Sequence, residues 1–153
     1  ALLLAAFAMF FFACEDEEGN NNIPNVLSAS MTAKVDSVDW KSITRVTFLQ
    51  SGYFNISGTS LEQEVINITI FGDEEKEYVL QPPTIQFSAL YNPDASTPDS
   101  NNFVATKGNV TITDIDTENK KISGTFEFEA SENLSSKVNV TDGVFENLSY
   151  QSK

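Results

Sequence analysis

The stretch ISGTFEFEA, residues 122–130, decides the fold class. Ile122, Gly124, Phe126, Phe128 and Ala130 alternate with Ser123, Thr125, Glu127 and Glu129. Successive side chains of an extended chain point to opposite faces, so this is a strand with one dry side and one wet side. The same alternation recurs in VINITIF (65–71), where Ile66, Ile68 and Ile70 oppose Asn67 and Thr69, and in NVTITDI (109–115) through Val110 and Ile112. ITRVTFL (43–49), YFNISGT (53–59), TIQFSALY (84–91), NFVATK (102–107), KVNVT (137–141) and GVFENLSY (143–150) extend the series.

Turn-forming residues separate these runs: Ser51-Gly52, Gly72-Asp73, Pro82-Pro83, the segment 92–102, Lys107-Gly108, residues 116–121 and Asp142-Gly143. About ten strands at short spacing, rich in Thr, Val, Ile and Phe and without a 3.6-residue period, predict an all-β domain. We expect an antiparallel β-sandwich over residues 30–153, with a lipocalin-like β-barrel as the alternative closure.

The first thirteen residues, ALLLAAFAMFFFA, carry no charge. As a helix they would span roughly 20 Å, short of the ~30 Å hydrocarbon core of a bilayer. They fit the apolar region of an export signal, and the chain is expected to begin inside that signal. Ala13 followed by Cys14 resembles a bacterial lipobox, which implies that the Cys14 thiol is lipidated and becomes the mature N-terminus. Several acyl chains on one residue hold a protein durably, where a single chain binds marginally. Glu15, Asp16, Glu17 and Glu18 come next. They resemble the signal that sends Bacteroidota lipoproteins to the outer face of the outer membrane. Residues 14–29, acidic and then Asn-rich, read as a tether with a coil span of roughly 20 Å.

Composition narrows the chemistry. The chain has 22 acidic and 9 basic residues, a net charge of −13, and every charge follows Cys14. Such a surface repels phosphate backbones and anionic lipid, so nucleic acid is not an expected partner and the membrane is reached through the anchor only. There is no histidine and one cysteine. Imidazole bases, Ser–His triads, histidine zinc sites and intrachain disulfides are therefore excluded.

Carboxylates and aromatic rings remain. Asp114, Asp116 and Glu118 stand at alternate positions and offer a loose Ca²⁺ site, although the EF-hand pattern fails at Asn119 and Thr125. GDEEKEY (72–78) reads as a charged loop that keeps strand edges soluble. Trp40, the only tryptophan, reads as a core plug. Tyr91, beside the long loop 92–102, is expected to expose its ring, with Asn92, Asp94 and Asp99 to hydrogen-bond a ligand's hydroxyls. Six Asn-x-Ser/Thr triplets occur, and Asp36-Ser37-Val38 resembles the O-glycosylation signal of Bacteroidota, with Ser37 as acceptor.

Two blocks carry a wider resemblance. MTAKVDSVDW (31–40) and the segment from GNVTITDID through NKKISGTFEFEA to VNVTDGVFENLSY (108–150) resemble a family of uncharacterised secreted lipoprotein domains of Bacteroidota. The resemblance implies a β-rich domain behind a lipidated cysteine and carries no catalytic residue with it. The expectation is a surface lipoprotein without enzymatic activity or cofactor, whose β domain binds a glycan or a protein partner. The alternatives are a small carboxylate-dependent glycoside hydrolase and an accessory component of an envelope complex.

Overall fold

The structure, a computed structural model, describes residues 28–97 and 101–153. Cys14 and the acidic run 15–18 lie outside the described residues, as does Asp99. Eleven strands and no helix occur among the described residues: β1 Ser30–Val35, β2 Val38–Gln50, β3 Tyr53–Ser60, β4 Val65–Ile70, β5 Glu77–Gln81, β6 Thr84–Ile85, β7 Phe87–Asn92, β8 Phe103–Asp116, β9 Lys121–Ser131, β10 Lys137–Ser149 and β11 Gln151–Ser152.

Eight of them close a ring. The hydrogen-bonded order β8-β7-β4-β3-β2-β1-β10-β9 returns to β8 through the β8–β9 pairing, antiparallel throughout. Apart from the β5–β6 excursion each strand pairs with its neighbours in sequence, so this is an up-and-down barrel. The all-β expectation holds, and the closure is the barrel rather than the sandwich.

The reason lies in strand length. Two of the expected turns are kinks inside single strands. Lys107-Gly108 falls within the 14-residue β8, and Asp142-Gly143 within the 13-residue β10. Register shifts occur between Ala105 and Lys107, Ile112 and Asp114, Val140 and Gly143, Phe145 and Leu148, and Ser42 and Thr44. Bulges of this kind bend a strand and increase its twist, which lets long strands coil round and meet. At Gly108, with φ +151°, a Cβ would press on the Glu127 carbonyl and stand 2.7 Å from Phe128 Cα, so the kink needs glycine.

On one side of β8, two collinear pieces share the edge. β5 pairs with residues 108–111 and β7 with Phe103 and Val104. Between them the chain turns outward through a cis Pro82-Pro83 bond and the short β5–β6 hairpin.

The dry faces fill the interior. Ile122, Gly124, Phe126, Phe128 and Ala130 all point inward, as do Ile66, Ile68 and Ile70. Phe126 stacks on Phe128 and on Phe145, each at 6.4 Å between ring centroids. At one end Tyr150 packs edge-on against Phe54 at 5.2 Å, its N–H donating to the Lys120 carbonyl, and β11 then runs parallel to β2. This C-terminal segment plugs the end from which the chain enters β1. The other end gathers the β1–β2 turn, the β3–β4 loop, the β7–β8 loop and the β9–β10 loop, because alternate connections of a meander fall on the same side.

Candidate functional site

A cavity of about 370 Å³ opens at this second end. Its walls come from three strands that carry aromatic rings: Trp40 early in β2, Tyr91 at the end of β7 and Phe103 at the start of β8. Val35, Pro93 and Val138 add apolar surface. Its acidic residues are Asp36, Asp39 and Glu64, of which Asp39 lies opposite Lys34 across the β1–β2 ladder, with no lysine or arginine among its described lining residues. A larger and more open groove, about 520 Å³, crosses the outer wall over β5, β8, β9 and β10. There Glu129 is clamped by Lys107 and Lys137, which pull its carboxyl below the usual range. The mouth is the better ligand site because it is concave, largely apolar and built from convergent elements.

Local sequence explains the geometry of the mouth. Asp36 and Ser37 have φ of 47° and 70°, the two left-handed residues of a type I′ hairpin joining Val35 to Val38. The Asp36 N–H donates to the Asn139 carbonyl and Asp36 Oδ1 accepts the Asn139 N–H at 2.9 Å, which staples the turn to β10. Tyr91 sits on the inward register of β7 and donates its hydroxyl to Glu64 Oε1 at 2.7 Å. The Ser60 hydroxyl lies 3.3 Å from Glu64 Oε2 and accepts the Glu64 N–H at 3.2 Å. Burial of the ring, then the bond to Glu64 and the nearby charges of Glu64 and Asp36, push the Tyr91 hydroxyl well above its ordinary pKa. It stays a donor at any physiological pH.

Trp40 is 2% exposed, as a core plug should be, and also forms part of the cavity wall. Its indole N–H has no hydrogen-bond partner among the described residues. Buried donors are seldom left so.

The structure redistributes the other expected residues. Tyr91 does not expose its ring: the residue is 5% exposed, because alternation along β7 turns it inward and Glu64 holds its hydroxyl. Asn92 is buried at 4%, and its side-chain oxygen accepts the Asp94 N–H at 2.7 Å. Asp94 in turn accepts the N–H and hydroxyl of Ser96, which lower its pKa. Both residues shape the loop rather than present themselves to a ligand. The loop is tied across the rim by the Ala95 N–H to the Gln63 carbonyl at 2.7 Å.

Asp114 and Asp116 pair with Ser123 and Lys121 on the outer face of β8, and Asp116 is occupied by the backbone and side-chain amides of Asn119. No group of three His, Cys, Asp or Glu side chains placed to hold a metal occurs among the described residues, so Asp114, Asp116 and Glu118 do not converge. Ser37 is exposed at the tip of its turn. In the loop 72–76, Glu75 accepts the Ile115 N–H at 2.9 Å, tying the acidic segment to β8.

Glu64 and Phe103 are the site residues that local reading passes over. Nothing in SLEQE marks Glu64 as special. Loop parity is the available signal, since the first, third, fifth and seventh connections of an eight-stranded meander share an end with one another and not with the rest.

Fold and mouth together define a small up-and-down β-barrel, plugged at one end and open at the other. Residues 27–149 match the family described as a domain of unknown function, DUF6252, and the chain belongs to that family. No curated protein and no solved structure matches it.

Proposed function

We propose that this protein is a lipid-anchored binding module of the outer membrane that admits its ligand at the open mouth of the barrel. The observation that supports this reading is the aromatic, acid-rimmed cavity formed by Trp40, Tyr91 and Glu64 at the end away from the entry of the chain into β1. A tether running from Cys14 to residue 29 would meet the plugged end, leaving the mouth to face outward from the membrane. In this reading Cys14 carries the acyl chains and Glu15, Asp16, Glu17 and Glu18 direct export to the cell surface. The ligand is a small molecule, or a group on a glycan or protein, that fits a few hundred Å³.

Two measurements test it. Amide NMR of the ¹⁵N-labelled chain during a fragment screen should show shifts centred on Trp40, Tyr91, Phe103 and Glu64. Shifts confined to the outer wall would remove the mouth from consideration. Palmitate-analogue labelling should be lost in Cys14→Ala, and undiminished labelling would refute the anchor.

A further inference from the structure

The chemistry of the mouth narrows the ligand. We infer that the cavity receives an organic cation, an alkyl- or arylammonium group carried by an apolar body. This rests on the mouth being the binding site, and goes beyond it by assigning the sign and class of the ligand.

Three features converge. First, the carboxylates of Asp36 and Glu64 stand at the mouth with no lysine or arginine among its described lining residues, while Asp39 alternates with the inward Trp40 and lies opposite Lys34 across the ladder. Lys34, on the outer wall, bonds Asp142 at 2.8 Å and lies across the ladder from Asp39. Second, the walls are aromatic. Trp40 and Tyr91, both almost wholly packed, and the half-buried Phe103 line the space, with Tyr91 and Phe103 6.2 Å apart between centroids and tilted by 45°. Ring faces attract a cation through their quadrupole, and cages of this composition suit ammonium groups that hard-metal sites do not. Third, Glu64 is half-withdrawn from water and is fixed by the hydroxyls of Tyr91 and Ser60. Those two donors fix its position and leave lone pairs for a cation. An anion entering here would meet the carboxylates of Asp36 and Glu64, with no lysine or arginine among the described lining residues. A bare metal ion would find no group of three ligands among the described residues. The same ammonium chemistry could arrive as a free amine or as a lysine side chain of a partner protein.

The single tryptophan makes the test direct, since Trp40 fluorescence reports on the cavity wall. The full chain is titrated with benzyltrimethylammonium, benzoate, benzyl alcohol and a lysine-containing peptide. The ammonium should give a saturable change, at least tenfold tighter than benzoate or benzyl alcohol, that weakens as salt rises. Glu64→Gln keeps an oxygen acceptor for Tyr91 but removes the charge. Asp36→Asn keeps both the turn conformation and the acceptor for Asn139. Each should weaken the ammonium several-fold and leave benzyl alcohol unaffected. Saturation by the peptide as well points to a protein-borne lysine, and response to the small ammonium alone points to a free amine. Benzoate or benzyl alcohol binding as tightly as the ammonium, or unchanged affinity in both variants, overturns the charge assignment and leaves the mouth as a site. No saturable response to any probe overturns both.

Discussion

Gly124 interrupts the row of bulky side chains on the dry face of β9, and replacing it with alanine tests the packing of the barrel at its centre. A Cβ at this position would collide with the Thr111 carbonyl on β8 and stand 2.5 Å from Cζ and 3.0 Å from Cε2 of Phe145 on β10. Neither obstacle yields readily. Phe145 is fully buried and stacked on Phe126, so its ring has nowhere to retreat. The carbonyl belongs to the ladder in which Thr111 opposes Thr125 and Ile112 opposes Gly124. Easing β8 away would weaken about two ladder hydrogen bonds at roughly 1 kcal/mol each. Overpacking adds about 1–3 kcal/mol. Gly124→Ala should therefore cost about 3–5 kcal/mol, a large share of the ~5–15 kcal/mol that holds a typical domain. Urea unfolding followed by Trp40 fluorescence measures it, as a lower midpoint at unchanged slope. Adding Phe145→Leu should recover only the ring's part of the loss, because the carbonyl stays in place. A Gly124→Ala variant within 1 kcal/mol of the parent would show that β8 and β9 do not approach as described.

Other substitutions probe separate features. Thr47 is 3% exposed and its hydroxyl has no partner among the described residues, so Thr47→Val should stabilise the fold by about 1 kcal/mol; a loss of stability in urea would reveal a hidden partner. Ser37 occupies a left-handed position of the β1–β2 turn, and Ser37→Gly should raise stability by about 0.5 kcal/mol, with a drop arguing against the I′ geometry. Tyr91 holds its proton more tightly folded than unfolded, so its contribution is intact below the unfolded pKa of about 10 and is lost as pH climbs toward the raised folded value. Tyr91→Phe should therefore lose stability less steeply than the parent above pH 10 in urea titrations, and parallel curves would contradict the Tyr91–Glu64 bond. At neutral pH the same variant should be about 1 kcal/mol less stable, since Glu64 loses a donor.

Comparison of particular segments shows where local reading reaches and where it stops. Alternation in 65–71 and 122–130 names the buried residues of β4 and β9 without error, because burial on one face of a strand follows from a two-residue period. Trp40 was legible as a plug because a lone tryptophan on an early strand has a large apolar body to bury. Lys107-Gly108 and Asp142-Gly143 carry turn chemistry, yet in β8 and β10 that chemistry makes bulges. A glycine or a left-handed residue marks a departure from the ladder. Whether the chain reverses there or only bends depends on whether a neighbouring strand continues past it. Tyr91 was misjudged because its proximity to a long loop suggested exposure, whereas its register on β7 placed it inside.

Sequence alone determined that this is an all-β domain with a sharply acidic composition, which side chains of β4 and β9 are dry, and that the chain carries no imidazole and no pair of thiols. These are properties of single residues and of a two-residue repeat, and need no knowledge of partners. Tertiary structure alone decided that the sheet closes into a barrel, that Tyr150 and β11 plug one end, and that Trp40, Glu64, Tyr91 and Phe103 meet at the other. Closure depends on the summed bend and twist of eight paired strands, and the meeting of four distant residues depends on closure, so neither can be read from any local stretch.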